Sequence, residues 1–446
     1  MVKADVAIIG GSAAGPVAAI TARRRNRDSR IVLVRKEDKV MVPCGIPYIF
    51  GTVGSPDKNV IPDSLLTDNG VELIVDEVTS IDEAARSLST SGGQTIDYGK
   101  LVLATGSLPA YPPIPGIDLQ NVFLLWKDAE SLSGVQRVLN SSKDIVIVGC
   151  GFIGVEMADE CKKIGDVNVT IVEIMPQCLM LAMDEEFRSS LEDKLVERGV
   201  KVFTNNGVRA IYGNGKVDSI ELQSGDKIKA DAVIVGIGVI PNVELAQKAG
   251  LKIGEQQGIW VDEYMRTSGE NIFACGDCAE KTSFFTKRPS ALRLASIATF
   301  EARIAGANVF GLDRKNRGSI GVLATCVGDF AVSVAGLAEK AAEEAGFDVV
   351  IGEAIAPDKH PGSMPEARQL KVKMIFDRQS RRLLGGEVSG GMTTAEIGNI
   401  AAMAIQAGMT VDELVLFQMG THPALTSSPI VYPLVNAVET AIIKFS

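Results

Sequence analysis

An α/β chain is the fold class that the sequence predicts: two parallel-sheet units followed by a C-terminal α+β domain. Three observations carry it. A strand–glycine turn–helix–strand pattern opens the chain, the same pattern returns near residue 144, and beyond residue 320 the alternation gives way to strands and then helices.

In the first pattern, residues 4–9 are a β-branched apolar run that meets Gly10-Gly11-Ser12-Ala13-Ala14-Gly15. An Ala/Arg-rich helical stretch follows to Arg25, and residues 31–34 are a second buried strand. The second pattern is a strand over 144–148, the turn Gly149-Cys150-Gly151-Phe152-Ile153-Gly154, a helix to about Ile164 and a strand over 169–173. Glycines at such a turn let backbone approach a pyrophosphate, and the helix N-terminus beyond them offers unpaired amides to its negative charge. Gly10, Ser12, Ala13, Ala14 and Gly15 are therefore candidate contacts for one dinucleotide, and Gly149, Gly151, Phe152, Ile153 and Gly154 for another. Two such units read as Rossmann-like domains related by duplication.

The acid expected at the end of the strand after the turn separates the two units. Glu173 ends it in the second, placed to accept from ribose hydroxyls and to repel a 2′-phosphate. With no arginine in Ile174-Met175-Pro176, this site is expected to prefer NADH to NADPH. In the first unit Arg35 stands there, followed by Lys36-Glu37-Asp38, and Ser12 takes the usual place of the second glycine. Either Glu37 substitutes for the missing acid or Arg35 addresses a phosphate.

A strand ending in Ala104-Thr105-Gly106 and a Pro-rich segment over 109–115 follow the first unit. An apolar strand closes on Gly238, and Asn271-Ile272-Phe273-Ala274-Cys275-Gly276-Asp277 comes later. The boundaries expected are 1–113 and 244–319 for a discontinuous first domain, 114–243 for the second and 320–446 for the C-terminal domain.

Bulk properties exclude several classes. A net charge of −10 over 446 residues, with no basic stripe, is unsuited to nucleic acid or an anionic membrane. No uncharged apolar run is long enough to span a bilayer, and the N-terminal one is too short for a signal peptide. The seven cysteines are scattered, so a reduced, cytoplasmic protein is expected, with no metal site. Cys44 stands out in Val42-Pro43-Cys44-Gly45, just after the first βαβ unit. Its neighbours suggest a fixed turn or a helix start, where a thiolate is favoured, rather than the buried structural role common for cysteine. Cys275-x-x-Cys278 has dithiol spacing but overlaps the Gly276-Asp277 block, so it reads as two incidental small residues.

Together these motifs make the chain resemble the pyridine nucleotide–disulfide oxidoreductase superfamily along its whole length. It is most similar to the single-cysteine branch of coenzyme A disulfide reductase, NADH oxidase and NADH peroxidase. The resemblance implies an FAD domain first, an NADH domain second and a C-terminal α+β dimerisation domain, hence a homodimer. It implies that Thr105, Gly106, Gly276 and Asp277 contact FAD, Asp277 through the ribityl chain, and that Cys44 is the redox cysteine. Peroxidases and oxidases of the branch carry a histidine in the first glycine turn, where this chain has Ala13. That points to a small disulfide, persulfide or polysulfide as substrate, with coenzyme A as carrier. NADH oxidase and an electron-transfer reductase for a protein partner are the alternatives.

Coenzyme A disulfide reductases place tyrosines in two C-terminal loops. Here those loops read Lys359-His360-Pro361-Gly362 and Thr421-His422-Pro423-Ala424, and they hold the only histidines. A neutral-pH acid suits a departing thiolate, so His422 and His360 are candidate catalytic groups. The Thr-His-Pro context is similar to a histidine loop that acts across the dimer in glutathione-reductase-like relatives. Of Arg23-Arg24-Arg25, which otherwise make a solvated helix face, Arg23 is the candidate for a coenzyme A phosphate. No rhodanese-like extension follows, so a persulfide is expected to arrive from outside.

Overall fold

A computed structural model of the chain describes residues 2–445. It has two compact units. Of the described residues, one comprises 2–113, 123–141 and 237–319; the other comprises 114–122, 142–236 and 320–445.

The first unit is built on the strand Val2–Ile9, which pairs in parallel with Ile31–Arg35 on one side and Thr95–Leu103 on the other. Glu72–Val75 extends the first edge in parallel. On the other side the long strand Thr95–Leu103 is shared. Ser87–Thr90 pairs antiparallel with its first half, and Ile272–Ala274 pairs in parallel with its second half. The discontinuous first domain expected from sequence thus closes its sheet with a strand from beyond residue 270. Strands buried on both faces need near-continuous apolar runs, and Val6, Ala7, Ile8, Ile31, Val32, Leu33, Leu101 and Val102 are all buried. The helix Ala14–Arg25, expected from the sequence to follow the glycine turn and reach Arg25, packs against Ala295–Asn308. Small residues allow this closeness: a Cβ on Gly306 would lie 2.3 Å from the Ala18 carbonyl.

In the second unit, Asp144–Val148 pairs in parallel with Asn168–Val172 and Ala232–Val235, and Val200–Phe203 extends that sheet. The helix Phe152–Cys161 makes the crossover, followed by turns to residue 164. From residue 322 the unit continues as a five-stranded antiparallel sheet in the order Val322–Val327, Phe330–Gly336, Leu383–Gly390, Gln369–Asp377, Val349–Pro357. The helices Thr394–Ala407 and Pro433–Ile443 cover it. This is the α+β C-terminal domain of the sequence reading. Among the described residues no helix is long and apolar enough to cross a membrane.

Candidate active site

The first glycine turn lies between the Val2–Ile9 strand and the helix that starts at Ala14. Gly10 has φ +114°, and a Cβ there would sit 2.1 Å from the Ala104 carbonyl. A Cβ on Gly15 would sit 1.8 Å from the Gly10 carbonyl. No side chain caps this helix, so the amides around Ser12, Ala13 and Ala14 keep their capacity for an anion.

The second turn repeats the construction. Gly149 has φ +100°, a Cβ on Gly154 would lie 2.0 Å from the Gly149 carbonyl, and Gly151 has nothing within 4 Å of a Cβ position. Gly151 precedes the uncapped helix that begins Phe152-Ile153. Glu173 reaches back to this turn: its Oε2 accepts from the Cys150 amide at 2.6 Å and its Oε1 from the Met175 amide at 2.8 Å. Both cradles fit a dinucleotide: open glycine backbone, an unpaired helix end and, in the second, an acid anchored beside the turn.

Arg35 is engaged within the protein. It is 4% exposed. Its Nε and Nη2 donate to the Glu37 and Asp38 carbonyls at 2.8 Å each, and Nη1 pairs with Asp63 at 2.7 Å. Its methylene stem lies against Gly11. The guanidinium spends these donors inside the protein, bracing the loop after the strand, while Lys36 is exposed to solvent.

Cys44 sits in a single helical turn, Pro43–Gly45, and is exposed. Of the fixed turn or helix start expected there, the structure shows a short helical turn, with a further helical stretch at Ile49–Val53. The turn is clamped by buried Asn59. Its Nδ2 donates to the Val42 carbonyl at 2.9 Å, its own carbonyl accepts from the Val42 amide, and its Oδ1 would lie 2.0 Å from a Cβ on Gly45. Asn59 has no sequence signal beyond its residue type.

The Gly276-Asp277 block follows the Ile272–Ala274 strand. Asp277 Oδ2 accepts from the Ser107 hydroxyl at 2.7 Å, and Lys127 lies 3.7 Å away. Thr105 donates its hydroxyl to the Asn242 carbonyl at 2.7 Å, while Gly106 at φ +73° leaves open space. Gly238 at φ +107° is likewise open, and its carbonyl accepts from the Ala110 amide. Beneath the block lies an ion pair that sequence reading missed. Lys281 and Glu301 are 1% and 0% exposed at the side chain and 2.8 Å apart. Glu301 Oε2 also accepts from the Gly276 amide, and Lys281 donates to the Gly276 and Ala279 carbonyls. Cys275 and Cys278 are buried there, and burial pushes both thiols up, which makes them poor nucleophiles.

One expectation about cysteine fails. Cys150 and Cys178 form a disulfide, their Cα atoms 4.8 Å apart, so the chain is not fully reduced. The two are 28 residues apart in sequence, and only the fold brings the post-strand segment back onto the glycine turn.

The two histidine loops meet. The His360 amide donates to the Pro423 carbonyl, and His360 Nδ1 lies 2.9 Å from the Thr426 carbonyl. His422 is exposed, and its Nδ1 accepts from the Ala424 amide at 3.3 Å, which leaves Nε2 to carry the proton in the neutral ring. In the first unit, Arg23 donates to the Ser29 carbonyl at 2.8 Å and lies against Gly70. It does not line the nearby cavity of about 430 Å³, which Arg24, Arg25, Arg303 and Arg314 line together with Thr21.

Two dinucleotide cradles in one chain, with an exposed thiol on the unit that carries the first, define a two-nucleotide redox enzyme. The chain belongs to the pyridine nucleotide-disulphide oxidoreductase family, whose model matches residues 4–302, and whose dimerisation domain matches residues 322–430. It is an NAD(P)H-dependent flavoprotein oxidoreductase, with FAD and NAD(P)H as its cofactors. It is 32% identical over 450 residues to an NADH oxidase of Methanocaldococcus jannaschii, covering 98% of this chain and 99% of that one. It is 31% identical over 450 residues to an NAD(P)H coenzyme A polysulfide/persulfide reductase of Pyrococcus horikoshii, covering 99% of each. The solved structure of an NAD-dependent persulfide reductase from A. fulgidus matches with a TM-score of 0.90 at 33% identity, over 98% of this chain and 83% of that one.

Proposed function

We propose that this protein uses NADH to reduce a small disulfide, persulfide or polysulfide carried on coenzyme A. The observation that carries the reading is Cys44, an exposed thiol on a turn clamped by Asn59, in the unit that holds the first cradle. The sulfur substrates in the names of similar proteins support it. Residues 1–113 and 244–319 are assigned to FAD, 114–243 to NADH and 320–446 to the dimer interface. The first turn holds the FAD pyrophosphate, Asp277 and Gly276 serve its ribityl side, and Thr105 and Gly106 shape the wall. FAD supplies a two-electron relay between nicotinamide and sulfur.

Cys44, as thiolate, attacks one sulfur of the substrate. A Cys44 mixed disulfide forms and one thiolate leaves. His422 of the partner subunit, with His360 behind it, gives that thiolate its proton. Two electrons from NADH and one further proton cleave the mixed disulfide, restoring the Cys44 thiolate and releasing the second thiol. The cavity lined by Arg24, Arg25, Arg303 and Arg314, in which Arg25 is paired with Asp313, offers guanidinium groups to the phosphates of coenzyme A. Glu173 favours NADH over NADPH. The active form is a homodimer in the cytoplasm.

The test is NADH oxidation by wild type and Cys44→Ser with coenzyme A disulfide, coenzyme A persulfide, polysulfide and oxygen. We expect a sulfur substrate to be preferred, NADH to outperform NADPH, and Cys44→Ser to bind FAD yet lose sulfur reduction by roughly a thousandfold or more. Cys44→Ser should also lose the broad long-wavelength absorption of a thiolate against oxidised flavin. Full sulfur reductase activity in that variant would overturn the reading in favour of electron transfer to a protein partner. Oxygen as the preferred acceptor would favour an NADH oxidase.

A further inference from the structure

The Cys150–Cys178 disulfide sits at the second glycine turn, in the unit that does not carry Cys44. Cys150 is the residue between Gly149 and Gly151, so its backbone is part of the turn that faces the pyrophosphate. Its amide donates to Glu173 Oε2, and its carbonyl accepts from the Leu179 amide at 2.9 Å. Cys178 belongs to the segment that follows Glu173. The disulfide, the Leu179 hydrogen bond and the Glu173 carboxylate therefore fasten that segment to the turn at three adjacent points. Leu179 is held at φ +54°, a left-handed conformation that costs a non-glycine residue energy and persists only where its surroundings impose it. Leu181, two residues on, is 90% exposed, whereas Cys178 and Leu179 are 1% and 5% exposed, so the segment turns outward just beyond the point where it is fastened.

We infer that Cys150 and Cys178 are a reversible redox pair whose covalent state sets the affinity of the second cradle for its nucleotide. Bridged, the pair preorganises the turn and Glu173, so less ordering remains to be done on binding. Reduced, the segment relaxes from Leu179 onward and Glu173 loses part of its support.

The interconversion balances as thiol–disulfide exchange. One cysteine thiolate attacks a small-molecule disulfide to give a mixed disulfide and one free thiolate. The other cysteine, as thiolate, then attacks the protein sulfur of that mixed disulfide and expels the second. Two protein thiols are oxidised and one external disulfide is reduced to two thiols. A dithiol runs the exchange backward and is itself oxidised to its disulfide. Both sulfurs are buried, so exchange requires the segment to lift, and it is expected to be slow. An oxidising pool of small disulfides would thereby raise NADH capture.

The experiment uses full-length holoenzyme in a Cys44→Ser background, so that the thiol assigned to catalysis does not respond. Protein is equilibrated with oxidised or reduced dithiothreitol, the bridge is scored by peptide mass mapping, and ADP-ribose binding is measured by calorimetry. We expect a linked peptide pair in the oxidised sample and a Kd for ADP-ribose roughly five- to twentyfold lower than in the reduced sample. Adding Cys150→Ala and Cys178→Ala should give the weaker Kd in both buffers. Equal affinity in the two redox states, or no linked peptide after oxidation, would overturn the proposal. The comparison within one protein does not depend on the alanine variants folding. ADP-ribose binding does not involve the sulfur substrate, so failure here would leave the Cys44 reading standing.

Discussion

Glu156 lies on the helix that follows the second glycine turn, and nothing in its sequence context marks it as unusual. Burial pushes its carboxyl up to about 7 from an ordinary 4.5, and the hydrogen bond from Thr325 offsets only part of that. The sign follows from linkage. The folded state keeps Glu156 protonated to higher pH than the unfolded chain does. Its stabilising contribution is therefore fully present below about pH 4.5 and is lost as pH rises toward about 7. Glu156→Gln keeps a neutral side chain throughout. Relative to that variant, wild type should lose of order 2–3 kcal/mol across this window, read from denaturant melts at several pH values. Parallel profiles for the two would show that the carboxyl is not the source. Lys281 and Glu301 pose a different problem at the same scale. Burial pushes Glu301 up while Lys281 opposes it, and its second carboxylate oxygen is buried without a hydrogen-bond partner. Removing one member leaves an uncompensated charge under Gly276. Lys281→Met alone should cost about 3–5 kcal/mol and reduce FAD retention, and the double variant with Glu301→Leu should recover much of both. A single variant as stable and as yellow as wild type would show that the pair does not support the Gly276-Asp277 block.

At the scale of elements, each strand–turn–helix unit depends on the backbone closeness that glycine permits. Gly154 needs no unusual φ. Its constraint is the Gly149 carbonyl, which a Cβ would meet at 2.0 Å. Gly154→Ala must push the helix Phe152–Cys161 away from the turn, moving the amides that face the pyrophosphate. The variant should purify with FAD bound but show a Kd for NADH at least roughly tenfold higher, since the proposed function assigns this cradle to the nicotinamide nucleotide alone. Unchanged NADH affinity would mean that the turn tolerates the shift. The same reasoning explains why the first cradle survives Ser12 in place of glycine. Gly10 and Gly15, the positions with no room for a Cβ, are both kept.

At the scale of the whole molecule, the C-terminal sheet packs against the helices Thr394–Ala407 and Pro433–Ile443, and the domain leaves large apolar side chains on its surface. Met392, Leu416, Leu425 and Ile430 are 66%, 80%, 65% and 85% exposed. Apolar exposure of this kind fits an obligate interface, and the domain that carries it matches a dimerisation model. Light scattering at micromolar concentration should give a dimer with one FAD per chain. A monomer would remove the partner subunit's His422 from the proposed proton transfer to the thiol that leaves on attack by Cys44.

The sequence by itself determined the fold class, both glycine turns, a helix after the first of them reaching Arg25, and the place of Cys44 in a Pro-Cys-Gly segment just after the first unit. Each is written in local periodicity or in glycine placement, which short-range sterics translate directly into backbone shape. It left open whether Glu37 substitutes for the missing acid or Arg35 addresses a phosphate, and it gave no sign of the packing of Arg35 against Gly11 and its pairing with Asp63. Tertiary structure alone decided the rest. Asn59 clamps the Cys44 turn from 15 positions away in sequence, Lys281 and Glu301 meet across 20, and Cys178 returns to Cys150 across 28. Such pairings follow from how strands and helices close on one another, and no local periodicity encodes them.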